Sequence, residues 1–179
     1  MGIPTLISTN PDSSDVASME FTSGIDGTYD EYMFVMTDLY PHVNVENLRV
    51  TFSSNGGTDY NIAKTGGWGR GTVGENGSGG GIAYDTSYDM TQTTIPLNIT
   101  YSTGADADQS SAGILHLFTP SNTTFIKQFY IRHSNAMASD EVQDIFIGGY
   151  INTTSAVNAV KFLYSGGNIS GTIQMYGIA

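Results

Sequence analysis

The amino-acid sequence predicts an all-β protein, an antiparallel β-sandwich of jelly-roll-like form behind a short extended N-terminal arm. Three observations lead there. Apolar residues recur with a period of two, as in Leu48, Val50 and Phe52 against Arg49, Thr51 and Ser53, the pattern of a strand with one buried face. Clusters of Gly, Asn, Ser and Pro punctuate the chain at short intervals. No convincing helical stripe of apolar residues occurs, and short strands separated by turns read as a sandwich or barrel.

Residues 1–18 form the expected arm: Ile3, Leu6 and Ile7 make a small apolar head, followed by a Pro, Asn, Asp and Ser run without period. Such a segment either frays or orders along a partner that also satisfies its backbone, because ordering costs about 1–2 kcal/mol per residue. The body, residues 19–179, opens with a strand over 19–25. Tyr32 to Met36, Ile114 to Phe118 and Ile145 to Ile147 are apolar on both faces, as expected of strands covered on each side or facing another subunit. Residues 48–53 and 95–102 alternate cleanly, and further strands are expected over 60–63, 125–132, 157–164 and 172–178. Residues 66–81 (GGWGRGTVGENGSGGG) read as a long loop, either flexible or ligand-binding. The one helix candidate is short and acidic, Ala136 to Gln143.

At 179 residues a single domain is expected, and 39% apolar content with eleven Tyr, eight Phe and one Trp supplies a core. Six Lys and Arg against 17 Asp and Glu give a net charge of 6 − 17 = −11. That balance argues against nucleic acid and against an anionic membrane surface, both of which require clustered cations. The absence of cysteine excludes disulfides, thiol catalysis and Cys-based zinc sites. No apolar run approaches a membrane span, and the N-terminal residues lack the charge and length of a secretory signal, so a soluble protein made without a targeting sequence is expected.

Motifs that carry chemistry are scarce. Gly67-x-Gly69-x-Gly71 is not followed by a helix whose N-terminus could hold phosphate. His42, His116 and His133 share no metal-binding spacing, and His116, inside an apolar strand, is expected in the core or an interface. Asp106 and Asp108 share a loop that could present oxygen ligands but lacks the glycine and bidentate Glu of a calcium loop. Other carboxylates group as Asp26, Asp30 and Glu31, and as Asp140, Glu141 and Asp144. No cofactor, metal or catalytic residue is expected. Trp68, Arg70, Tyr84 and Tyr88 place aromatic faces in and beside the glycine-rich segment, where they either meet a glycan or cover the core or a subunit contact. Five Asn-x-Ser/Thr sequons, beginning at Asn76, Asn98, Asn122, Asn152 and Asn168, are expected to be incidental.

The stretches FTSGIDGTYDEY (21–32), GILHLFTP (113–120) and YSGGNISGTIQMYGI (164–178) resemble small β-rich virion proteins of tailed bacteriophages, especially those of aquatic bacteria and cyanobacteria. The likeness runs from about Met19 to Ala179 and carries no catalytic residues. It implies a virion protein made in the host bacterial cytoplasm, either a capsid cement or decoration protein, commonly trimeric, or a fibre or tail-tip module. The resulting expectation is a non-enzymatic homotrimer on the capsid exterior, bound to the major capsid protein through Ile3, Leu6 and Ile7. The alternative is a receptor-binding module that recognises host glycan through Trp68, Arg70, Tyr84 and Tyr88, with a polysaccharide hydrolase using two carboxylates as a third reading.

Overall fold

The computed structural model describes residues 2–10, 15–77 and 79–179. Met1 and residues 11–14 of the expected arm, and Ser78 of the expected loop, lie outside the described residues. The first half of the chain forms β1 (Thr5–Asn10), β2 (Met19–Phe21), β3 (Glu31–Pro41), β4 (Leu48–Ser53), β5 (Lys64–Gly74) and β6 (Gly81–Tyr84). A single 3-10 turn, Thr86–Tyr88, leads to β7 (Met90–Thr93) and β8 (Leu97–Asn98). The rest is β9 (Ser111–Phe118), β10 (Lys127–Ala136), β11 (Glu141–Ile151), β12 (Ala159–Tyr164) and β13 (Ile169–Ile178).

These strands build two antiparallel sheets packed as a sandwich. The larger has nine strands in the order β1-β13-β3-β9-β10-β11-β5-β6, with β7 also on β5; the smaller has four, β2-β12-β4-β8. The period of two sends alternate side chains of each long strand inward. From the large sheet, Phe34, Leu115, Ile131, Ile147, Trp68 and Met175 are buried, and Phe21, Phe52, Val50 and Phe162 meet them from the small sheet. Aromatic rings lock the layers: Phe21 to Phe34 at 5.3 Å, Phe34 to Phe162 at 5.7 Å and Phe52 to Phe129 at 5.7 Å between centroids. Each such side chain contributes about 1.5–3 kcal/mol through burial.

Register is set by irregularities as well as by pattern. Between Leu6 and Ser8 the pairing of β1 with β13 slips by a residue, and Ile7 turns against the core. A second break falls at Asp38 and Gly171, where β3 shifts against both β13 and β9. Only glycine fits at 171, because φ is +112° and a Cβ would stand 2.3 Å from the Asp38 carbonyl oxygen.

The structure revises four expectations. Residues 66–81 are not one loop: Lys64 to Gly74 pairs residue by residue with β11 from Ile151 to Glu141, and only the segment beyond Gly74 turns. Glycine is a poor strand former by propensity, but here it makes room, since a Cβ on Gly69 would sit 2.3 Å from the Phe146 ring. The expected helix over 136–143 is a hairpin turn, closed by the Met137 N–H donating to the Glu141 carbonyl at 2.8 Å, with Asp140 at φ +59°. The alternation over 95–102 yields only β8, and 60–63 precedes a strand instead of forming one.

Polar residues enter the core at both ends of β10. Lys64 and Lys127 flank Ile151 in register and are buried. The Lys64 ammonium donates to the Ile62 and Thr94 carbonyls at 3.3 Å, and Lys127 to those of Phe125 and Thr153 at 3.1 Å. Burial lowers the Lys64 pKa to about 8. At the other end His133 is 1% exposed, and neither ring nitrogen has a hydrogen-bond partner among the described residues. Burial pushes its pKa down to about 3, so the folded chain holds it neutral.

The unfolded chain protonates His133 near pH 6.5 and the folded chain only near 3, so its contribution is full above 6.5 and is lost as pH falls toward 3. Urea unfolding should therefore show wild type losing roughly 3 kcal/mol more than His133→Leu between pH 7 and pH 4. Equal losses in the two proteins would show that His133 does not drive the acid response.

Candidate functional site

The hook formed by β6, the 3-10 turn and β7 straddles the free edge of β5 and divides the four residues expected at a ligand. Trp68 faces inward from β5 and is fully buried. Tyr88 packs against it, tilted, at 4.9 Å between centroids and against Tyr101 at 5.4 Å. The Arg70 guanidinium lies 5.7 Å from the Trp68 ring and 5.4 Å from the Tyr101 ring, and pairs with Asp85 at 3.6 Å. Asp85 also caps the 3-10 turn, accepting from the Ser87 N–H at 3.1 Å. These side chains plug the gap between the sheets. The enclosed Trp68 ring presents no face to a glycan and takes the other expected role, covering the core, with Arg70 and Tyr88 packed beside it.

Tyr84 lies on the opposite, outward face and is 63% exposed. Its hydroxyl donates to the Asp89 carboxylate, 2.8 and 2.9 Å from the two oxygens, and this bond raises the Tyr84 pKa above the ordinary phenol value. Asp89 Oδ1 also accepts from the Trp68 backbone N–H at 3.3 Å. The Tyr84 ring lies over Gly67, where a Cβ would stand 2.9 Å from its hydroxyl. Beside it, Gly67 pairs with Gly148, and Tyr150 follows two residues on. Tyr84, Asp89, Thr91, Gly67, Gly148 and Tyr150 thus border an outward depression of about 320 Å³.

The other half of the same outward face is apolar. Met33, Val35, Ile114 and Phe118 stand half-buried on β3 and β9, with Tyr130 and Phe146 beyond them at 46% and 42% exposure. His116 stacks on Tyr130 at 4.4 Å between centroids, and Phe118 joins them at 5.7 Å from Tyr130. The His116 imidazole pairs with Glu31, and Arg132 with Asp144. The doubly apolar strands read from the sequence thus place one face in the core and the other on this surface.

The arm residues separate. Ile3 and Leu6 are 87% and 51% exposed, while Ile7 packs against the protein's own core. Thr5–Asn10 is the terminal strand of the large sheet, so its outer edge is the free one. The carboxylates take structural roles: Asp26 accepts from the Thr28 N–H at 2.8 Å and the Tyr32 hydroxyl at 3.0 Å, and Asp140 accepts from the Gln109 amide at 3.3 Å. Among the described residues no group of three or more His, Asp or Glu could hold a metal ion, and no helix is long and apolar enough to cross a membrane.

Sequence reasoning missed Asp89, Gly148 and Tyr150. They meet Tyr84 only through the register of β11 on β5, and nothing local to Gly148-Gly149-Tyr150 announces it. Compared with protein-family models, curated proteins and solved structures, the chain matches none of them.

Because the single Trp is enclosed between Tyr88, Arg70 and the core, its fluorescence should be blue-shifted relative to free tryptophan and resist acrylamide. Both properties should disappear together on unfolding in urea. Ready quenching of the native protein would mean that the plug opens in solution.

Proposed function

We propose that this chain is a non-enzymatic structural protein of a bacteriophage virion, a capsid cement protein that acts as a trimer. The observation that carries the reading is the apolar half of the outward face, Met33, Val35, Ile114, Phe118 and Tyr130. A contiguous patch of aromatic and aliphatic side chains on a soluble body marks an interface. A second copy is the occupant that its charges suit. The chain carries −11, yet the acids on this patch are each paired, Glu31 with His116 and Asp144 with Arg132. Copies can therefore meet here without burying unpaired like charges.

The resemblance of residues 21–32, 113–120 and 164–178 to phage virion proteins supplies the context, and the sandwich is compatible with it. Three copies around an axis would present three β1 edges together, each carrying Ile3 and Leu6, so that modest contacts with capsid subunits add through effective concentration. A protein that binds the closed lattice better than free subunits stabilises the lattice. The grip rests on Ile3, Leu6 and the strand edge, since Ile7 belongs to the core.

Light scattering on the purified protein should give three times the 19.1 kDa of one chain, and Ile114→Glu should reduce it to one. A wild-type monomer would overturn the trimer. Antibody labelling of intact particles should cover the heads, whereas label confined to tails or fibres would overturn the cement role. Leu6→Asp combined with Ile3→Asp should weaken capsid binding at least tenfold without changing the urea midpoint, and unchanged binding would remove the arm from the contact.

A further inference from the structure

We infer that the depression between Tyr84 and Tyr150 is a binding site for a neutral pyranose ring, a function separate from assembly. The argument starts with Gly148. Glycine in the interior of a strand weakens it, and its presence there marks a bulge, a tight bend or a close approach by another molecule. Other glycines of this region are explained by the chain itself. A Cβ on Gly69 would strike the Phe146 ring, one on Gly67 the Tyr84 hydroxyl, and one on Gly149 the Thr65 carbonyl oxygen at 2.4 Å. At Gly148 a Cβ would meet nothing within 4 Å, and its φ lies outside the left-handed region. Nothing within the fold requires glycine at 148; the same holds at Gly81 on β6, but only Gly148 lies in the depression, where its bare backbone leaves room for a flat ligand on the sheet.

The surroundings define that ligand. Gly148 forms a floor of bare backbone, with the Tyr84 ring, which covers Gly67, on one side and the Tyr150 ring bordering it. Phenol rings offer apolar faces to the C–H face of a sugar, and their edges remain polar. Around the rim, Asp89 offers carboxylate oxygens, and Thr65 and Thr91 offer hydroxyls, a set that matches the ring of hydroxyls at a pyranose edge. About 320 Å³ is at the small end of ligand sites and suits one ring, with the remainder of a longer glycan in solvent. The protein's charge of −11, and Asp89 in the rim, select against anionic sugars. Asp89 is already engaged by the Tyr84 hydroxyl and the Trp68 N–H, so it acts as an acceptor for hydroxyls more than as a counter-ion for a cation.

The test is saturation-transfer NMR on the full chain with the methyl pyranosides of glucose, galactose, mannose and N-acetylglucosamine. Each is used at about 10 mM, because a single small ring binds in the millimolar range. N-acetylneuraminic acid and choline serve as anionic and cationic comparators. At least one neutral pyranoside should show transfer, and the signal should fall at least tenfold in Gly148→Val and in Tyr150→Ala. Gly148→Val fills the floor with a β-branched side chain that a strand accepts, so its circular dichroism and urea midpoint should match or exceed wild type. Absence of transfer from every neutral pyranoside would overturn the inference, as would transfer that survives both substitutions. Transfer from choline alone would assign the slot to a cation and overturn it too. A change in oligomeric mass in Gly148→Val without loss of a saccharide signal would make the slot a contact between copies, again against it.

Discussion

The register of the long central strands is the constraint on which everything else rests. In a ladder of antiparallel strands a slip of one residue moves a strand's inward set to the outside. Here β10 and β11 pair over ten consecutive positions and β11 and β5 over eleven, so the faces of three strands are fixed together. That single alignment puts Trp68 and Ile147 inside and Gly67, Phe146 and Gly148 outside. It also carries Lys64 and Lys127 to the same depth on either side of Ile151. The core, the plug and the outward depression are therefore consequences of one pairing, and none could be rearranged without the others.

The strands with clean alternation were legible because local pattern and tertiary environment agree. Leu48, Val50 and Phe52 look like one buried face and are one. The double apolar character of β3 and β9 was legible too: one face lies in the core, and the other stands half-buried on the outward surface. The glycine-rich strand was not. Glycine lacks the side chain by which periodicity is read, and what holds β5 in a sheet is its partner: the Phe146 ring over Gly69 and the Phe129 ring beside Gly66 and Gly149. Those contacts join segments far apart in the chain, beyond the reach of a window of residues. The acidic stretch 136–143 misled for a related reason: its composition suits a helix, whereas a residue at positive φ, Asp140, and the cross-turn bond at Met137 make it a hairpin.

The aromatic residues of the hook show how little composition says about exposure. Trp68 and Tyr84 belong to one short region, and both bear rings suited to a sugar. The strand edge sorts them. Trp68 projects to the core side of β5, and Tyr84 returns on β6 to the solvent side, tied through Asp89 to the Trp68 backbone. Arg70 on the inner side lies against the Trp68 and Tyr101 rings with its charge paired to Asp85. A residue list from this segment mixes two environments separated by the thickness of a sheet.

With few cations to distribute, the protein uses each for a structural purpose. Lys64 and Lys127 are buried against backbone carbonyls, Arg70 is in the plug, and Arg132 and Lys161 face Asp144 and Glu20. Arg49 donates to Asn98 at 2.8 Å, holding β4 to β8. No cluster of cations remains to draw in a phosphate or an acidic partner by long-range attraction, so recognition by this surface has to rely on shape, apolar contact and neutral hydrogen bonding. The outward face offers those two modes side by side. Its apolar half, with acids already paired, suits a flat contact with another protein surface, and its glycine-floored half suits a thin ring bearing hydroxyls. The boundary falls at β11, where Phe146 covers Gly69 and the next outward residue, Gly148, is bare.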